Sequence, residues 1–345
     1  MFTDNAYVTI LLCSYLGVKD RNYKPYTALQ WNELGHRIVN SNIGEPAKLL
    51  NMSRENIINS IKISDSEADR IVNLLSRGAN IAFMLEDISR KGISVVTRSD
   101  KEYPKKLKSL LKKYSPPIIY YCGDLSLANK MGIGIVGSRN IDEDGIKFTQ
   151  LLAKKATEDN LIVFSGGAKG VDNISETIAL NNQGYVVSIL ADSMSKKIKN
   201  KVIRDNILSG KQLLLTPFSV ANAMNRNKYI YALSNGTFVV ASDYNKGGTW
   251  AGAIENIKNE WVNTFVWNNK KYIGNSELIT KGGIGVESID NISVKELISK
   301  KVKKVDQLNI FDYDKTEERV VVERENIISE NKAEYNLSDF DAHQK

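Results

Sequence analysis

Two cysteines and two histidines are all that 345 residues supply. Cys13, Cys122, His36 and His343 are scattered along the chain, which argues against a disulfide framework and against a zinc site built on such ligands. Long apolar runs are missing too. The longest near the start, Ala6 to Val18, falls short of the roughly 20 residues that span a bilayer, and Asp4 precedes it where a signal peptide would carry basic residues. The expectation is a cytoplasmic protein that does not enter a membrane. No G-K-[ST] ending follows any glycine-rich loop, so ATP hydrolysis on a Walker loop has no support. No internal repeat is visible.

What is present is an ordinary folded composition, 42% hydrophobic and 25% charged, long enough for a full α/β domain with smaller units attached. The formal charge is +7, and residues 311 to 345 hold ten acids against five bases, which leaves a net +12 on residues 1 to 310. A basic body fits a polyanionic partner, although AT-rich coding also enriches a chain in Lys, Asn and Ile.

Residues 5 to 92 read as a series of short helices. One begins at Ser64-Asp65-Ser66-Glu67, which has the form of a capping box, followed by Ile71, Leu74 and Leu75 at helical spacing. Apolar runs 93–96 and 118–122, punctuated by Pro104, Pro116 and Pro117, lead into a sheet. From Met131 onward, strands are expected at 133–136, 161–164, 185–190, 213–215, 237–241 and 264–266. Helices are expected between them at 144–158, 172–182, 221–233 and 249–259. Continuous apolar strands joined by helices of this length make an α/β fold with a doubly wound, mostly parallel Rossmann-like sheet. The expected organisation is a small helical N-terminal domain (1–92), the Rossmann domain (93–300), and an acidic, mobile C-terminal tail (301–345).

In such a sheet ligands sit beyond the carboxyl ends of the strands. Three small-residue loops fall there: Gly137-Ser138-Arg139-Asn140, Ser165-Gly166-Gly167-Ala168-Lys169-Gly170-Val171-Asp172, and Lys246-Gly247-Gly248-Thr249. Glycines admit close backbone approach, helix N-termini offer free N–H groups, and Arg or Lys adds charge, so together they suit an anion. Gly132, Gly134 and Gly137 also satisfy G-x-G-x-x-G. The first two lie at or inside the strand rather than after it, so this is not a dinucleotide fingerprint. Arg226 and Lys228 are candidate ligand contacts. Tyr229 and Tyr231 offer stacking faces, but their place on a helix before a strand favours the core. The run Lys196, Lys197, Lys199, Lys201, Arg204 reads equally as a backbone-steering patch or a solvated helix face.

These loops, in this order, resemble the DprA/Smf family. The matching pieces span about residues 95 to 285: Tyr103-Pro104 with Leu107, Pro116-Pro117 before Tyr120-Tyr121-Cys122-Gly123, Ile135-Val136-Gly137-Ser138-Arg139, the whole 165–172 loop, Ala179-Leu180, Arg226-Asn227-Lys228 with Leu233-Ser234, and Gly274-Asn275 with Leu278-Ile279. The resemblance implies a Rossmann domain that binds single-stranded DNA without catalysis or cofactor, a homodimer, and a RecA-type recombinase as partner. It implies binding groups at Arg139, Lys169 and Arg226. With the loop residues, the expected nucleic-acid contacts are Gly137, Ser138, Arg139, Ser165, Gly166, Gly167, Lys169, Arg226, Asn227, Lys228, Gly247, Gly248 and Thr249. Departures from the family pattern are Ser175-Glu176 in place of alanine-histidine, no tyrosine-proline at 192–199, Leu215-Thr216 in place of serine-glutamate, Asp243 in place of glutamate, and Gly247-Gly248-Thr249 in place of serine-glycine-serine. No winged helix is evident in 300–345.

Three readings follow: a single-stranded DNA binder acting as recombination mediator or foreign-DNA sensor, a phosphoribohydrolase resembling the LOG group, and an interaction scaffold with a vestigial pocket. The LOG pattern is only partly echoed by Lys246-Gly247-Gly248-Thr249 with Glu255, and no paired carboxylate is evident near that loop. The tail admits two roles, a polyanion mimic that occupies the basic body or a solvated segment, and the second is favoured. Deleting residues 311–345 is then expected to leave oligo-dT affinity unchanged at low salt. A gain in affinity that fades as salt shortens the Debye length would establish self-competition instead.

Overall fold

Strands that are apolar at every position can only sit where both sheet faces are covered, and here they do. The computed structural model describes residues 2–300 apart from 19, 21, 192–193 and 218–225. The acidic segment 301–345 and the first part of the expected helix 221–233 lie outside the described residues. Five helices come first: α1 (Asp4–Cys13), α2 (Ala28–Val39), α3 (Arg54–Ile61), α4 (Asp65–Leu75) and α5 (Gly78–Arg90). Then follow β1 (Ser94–Thr97), α6 (Lys105–Leu111), β2 (Ile118–Cys122), β3 (Gly132–Val136), α7 (Glu143–Glu158), β4 (Ile162–Ser165), α8 (Val171–Asn181) and β5 (Val186–Ile189). The chain continues through α9 (Met194–Lys197), α10 (Lys201–Leu208), β6 (Gln212–Thr216), α11 (Asn227–Leu233), β7 (Gly236–Val239) and α12 (Gly247–Asn259). It then forms β8 (Asn263–Trp267), α13 (Ile273–Thr280), β9 (Ile284–Val286) and α14 (Val294–Ser299).

The strands form one sheet in the order β1-β2-β6-β5-β4-β3-β7-β8-β9. From β6 to β9 every neighbouring pair is parallel, whereas β2 runs antiparallel to β6 and β1 antiparallel to β2. The parallel strands are wound outward in both directions from β3, first to β4, β5 and β6, then to β7, β8 and β9. Strand order therefore reverses between β3 and β7, and the loops that leave these strands diverge to opposite faces and open a crevice.

The expected doubly wound sheet is present, with strand limits within a few residues of those read from the apolar runs. The short edge strand β9 and helices α6, α9, α10, α13 and α14 had no assigned place. Gly132 and Gly134 lie within β3, and a side chain at Gly134 would collide with Thr237 and Ile230. They serve close packing, and only Gly137 stands at the turn.

Helix α1 explains its own apolar run: Ala6 and Val8 to Cys13 are all buried. Its residues share one apolar cluster with Trp31, Leu34, Ile57, Ile71 and Leu74 from α2–α4, and with Ile118, Tyr120, Cys122 and Leu214 of the sheet. Only half of the expected capping box on α4 forms. Ser64 accepts from the Glu67 amide, but the Glu67 carboxylate takes a 2.6 Å hydrogen bond from Tyr26. The full reciprocal box is on α2, between Thr27 and Gln30. No described helix is long and apolar enough to cross a membrane.

Arg77 closes this helical layer. Its guanidinium donates to the carbonyls of Leu11, Ser14, Leu16 and Leu74, joining the ends of α1 and α4. Burial pushes its pKa down, as expected for a cation held by dipoles alone. Arg77→Ala leaves several carbonyls unpaired and should lower stability in urea by about 2–4 kcal/mol. Arg77→Lys should recover little of it, since one ammonium cannot replace the fork.

Candidate functional site

The crevice between β3 and β7 contains a cavity of about 380 Å³. Its walls are the loop after β3 (Gly137, Ser138, Arg139), part of the loop after β4 (Ala168, with Asp172 of α8), the start of α11 (Arg226, Asn227) and the loop after β7 (Ser242, Asp243, Lys246 to Thr249). Three helices, α8, α11 and α12, start at this wall. Helices α8 and α12 begin on Gly170 and Lys246 without a side-chain cap, while neighbouring α7 is capped by Asp142. At α8 the Val171 amide is donated to the Ser138 carbonyl at 3.3 Å; first-turn amides of an uncapped helix that have no such partner can meet an anion. Gly170, at φ +77°, lies so close to the Ser138 and Arg139 carbonyls that a side chain there would collide with them, which brings the first two loops together.

Of the residues expected to contact nucleic acid, Gly137, Ser138, Arg139, Arg226, Asn227, Gly247, Gly248 and Thr249 line this cavity. Ser165, Gly166, Gly167, Lys169 and Lys228 do not. Arg139 is exposed, whereas Arg226 is only 9% exposed. The Arg226 guanidinium donates to the carbonyl of Gly166 and at 2.9 Å to that of Ile189, its Nε donates to Asn227 at 3.0 Å, and it stands 3.8 Å from Asp172. Asn227 in turn donates to the Gly248 carbonyl at 2.6 Å. Arg226 thus ties the loop after β4 to the end of β5 and, through Asn227, to the start of α12. Lys228 is half-buried with its ammonium 5.3 Å from the Tyr229 ring. Its pKa is lowered by burial against an opposing pull from Glu255. Tyr229 and Tyr231 are 4% and 0% exposed and belong to the core, as their helical placement favoured. Lys169 is exposed at the tip of its loop.

Two carboxylates that the sequence reading left unpaired share the face of α8 beneath the loop after β4. Asp172 accepts from the Ala168 amide, and Glu176, one turn on, accepts from the Gly167 amide at 3.0 Å, while Lys197 donates to the Gly167 carbonyl at 2.6 Å. Burial raises the pKa of both. Asp172 has Arg226 beside it to favour its charge. Glu176, buried and next to Asp172, is pushed up to about 7 despite Ser188, Lys197 and the Gly167 amide. One turn of helix separates the pair, so the i, i+4 spacing was legible. Their depth was not.

A family model of DNA recombination-mediator protein A matches residues 94–296, more than half of the chain. The chain belongs to that family. Among curated relatives, DNA processing protein DprA of Bacillus subtilis is 28% identical over 166 residues, covering 46% of this chain and 55% of the relative. DprA of Streptococcus pneumoniae is 25% identical over 145 residues, covering 39% and 49%. The chain thus spans about half the length of the curated relatives it matches. The crystal structure of Streptococcus pneumoniae DprA superposes with a TM-score of 0.59 at 20% identity, over 84% of this chain and 96% of that one, and shows a shared fold.

In this family member the buried acid pair gives a stability test. Below the ordinary glutamate pKa of 4.5 both folded and unfolded states carry the Glu176 proton. As pH rises from there to about 7 only the folded state keeps it, so stability should fall over that window and level off above it. The loss amounts to at most about 3 kcal/mol. Glu176→Gln should flatten this slope in urea midpoints between pH 5 and pH 8; an unchanged slope would assign the titration elsewhere.

Proposed function

We propose that this protein binds single-stranded DNA through its phosphates at the crevice between β3 and β7, without catalysis or cofactor, as a recombination mediator or as a sensor of foreign single strands in the cytoplasm. One observation carries the reading: Arg139 stands exposed at a cavity lined by Lys246 and by the uncapped start of α12, Gly247 to Thr249. Amide groups and a guanidinium fit a phosphodiester, and contacts made to phosphate carry no base preference. A cavity of about 380 Å³ admits a phosphodiester and its sugar, and a duplex is too wide to enter it. Asp172 lines the cavity paired with Arg226 and also feels the charge of Arg139, while Glu176, its pKa raised to about 7, lies one turn further along α8. The contacts we assign to DNA are Arg139, Lys246 and the backbone of 137–138 and 247–249. Arg226 and Asn227 shape the cavity, and Lys169 extends the cationic surface. A RecA-type recombinase and a second copy of the chain are the partners that go with this role.

The phosphoribohydrolase reading needs a carboxylate facing bound nucleotide beside the 246–249 loop. Glu255, the carboxylate of that pattern, does not line the cavity and acts on Lys228 instead; the carboxylates that do line it are Asp172, paired with Arg226, and Asp243.

Oligo-dT titrations over a salt series test the proposal. Binding should weaken steeply with salt and show little base preference, and duplex DNA and mononucleotides should bind more weakly. Arg139→Ala should lower affinity about 10-fold at low salt and reduce the log–log salt slope by about 0.7, one phosphate's worth on a single strand. Identical curves for the variant and the parent would refute the assignment.

A further inference from the structure

The loop from β7 to α12 does more than supply a helix start. Its first residues are fixed: Ser242 is buried, its amide held by Asn275 at 2.9 Å, and Gly274 packs against its backbone. Asn245 then adopts φ +54°, which turns the chain back on itself. Asp243 and Lys246, on either side of this turn, both line the cavity. Tyr244 stands between them with 52% of its surface exposed. Its ring meets Trp250 edge to face, with centroids 5.2 Å apart and planes at 79°. Trp250 is itself only 8% exposed and lies in the first turns of α12, directly after the cavity-lining Thr249.

An exposed aromatic on a protein surface is common and by itself means little. Tyr244 is set apart by position and by restraint. It is flanked by residues that line the proposed phosphate cavity, and a perpendicular contact with a buried indole holds its ring while half of its surface stays exposed. In a single strand each base hangs one sugar away from its phosphate. A ring at the rim, rather than in the floor, is where that base falls.

We infer that Tyr244 is a stacking platform for the nucleobase adjoining the phosphate held in the cavity. The inference rests on the single-strand reading above. Stacking on a side chain is tolerant of base identity, because every base has a π-face, so Tyr244 adds affinity for strands that carry bases without adding sequence preference. It also separates the two kinds of contact: Arg139 answers to charge and salt, Tyr244 to the presence of a base.

The test uses full-length protein with two oligomers of equal length, oligo-dT and its fully abasic counterpart, in anisotropy titrations at several salt concentrations. Tyr244→Ala should weaken oligo-dT binding about 5- to 100-fold, leave the abasic oligomer unaffected, and leave the salt slope unchanged. Tyr244→Leu, apolar but without a π-face, should lose as much as alanine, and Tyr244→Phe and Tyr244→Trp should retain affinity. Both oligomers weakening equally in Tyr244→Ala, or Tyr244→Leu binding like the parent, would overturn stacking. The control is Arg139→Ala, which should weaken both oligomers. Parent protein that binds neither overturns the single-strand reading and this inference together, whereas binding that depends on Arg139 but not on Tyr244 overturns this inference alone.

Discussion

A single buried guanidinium holds the proposed site in one arrangement. The loops that follow β4 and β7 leave the sheet beyond its ladder hydrogen bonds, and loops of glycine and small residues are the parts of a fold with most freedom to lose. Arg226 spans them. It reaches the carbonyls of Gly166 and Ile189 and orients Asn227, which takes up the carbonyl of Gly248. A charge this deep is tolerable only if nearly every donor is satisfied and a counter-charge is near, and Asp172 provides it. The lack of a side chain at Gly166 follows from the same contact, since a Cβ there would occupy the space of the guanidinium.

That arrangement imposes an electrostatic problem on an anion site. Asp172 lines the cavity beside Arg226, and Glu176 lies one turn further along the same helix. Two ionised carboxylates behind a phosphate would repel it. The chain meets the constraint unequally: the acid with the arginine keeps the better claim to its charge, and the acid without one keeps its proton up to about pH 7. Glu176 still accepts from the Gly167 amide, so the loop is braced whether or not the proton is present. The brace belongs to stability, and the absence of full charge belongs to binding.

How much of this could be read from the residues follows from which forces are local. The strands and their order of appearance were legible because burial on both faces writes itself as unbroken apolar runs, and the three loops because glycine and cationic residues punctuate them. Strand β9 escaped because Ile284-Gly285-Val286 is too short to carry a period. Lys197 reads equally as part of a backbone-steering patch or of a solvated helix face, yet its ammonium is committed to the Gly167 carbonyl, a partner distant in sequence. The roles of Arg226 and Arg139 could not be told apart, since both are arginines in matching motifs and only depth distinguishes them. Tyr244 was passed over for Tyr229 and Tyr231, which sit on a recognisable helix. What counted was exposure beside the cavity, and exposure is a tertiary property.

The size of the cavity limits how tightly it can bind on its own. Space for one phosphodiester, with Arg139 and Lys246 at its walls, releases few counterions, and each phosphate neutralised on a single strand adds only about 0.7 to the salt slope. Strong, steeply salt-dependent binding would therefore need more phosphates than the crevice can hold. Lys169, on the loop after β4, is exposed directly beside the lining residue Ala168, and Lys197, which donates to the Gly167 carbonyl of the same loop, is flanked by exposed Lys196 and Lys199. A strand that leaves the cavity across this flank meets charge that is solvated and adaptable, whereas within the cavity it meets charge and amides that are fixed. A second copy of the chain on the same strand would multiply affinity through effective concentration with no new kind of contact. The fixed crevice would then set where and how one nucleotide is held, and the number of copies on the strand would set how strongly the whole strand is bound.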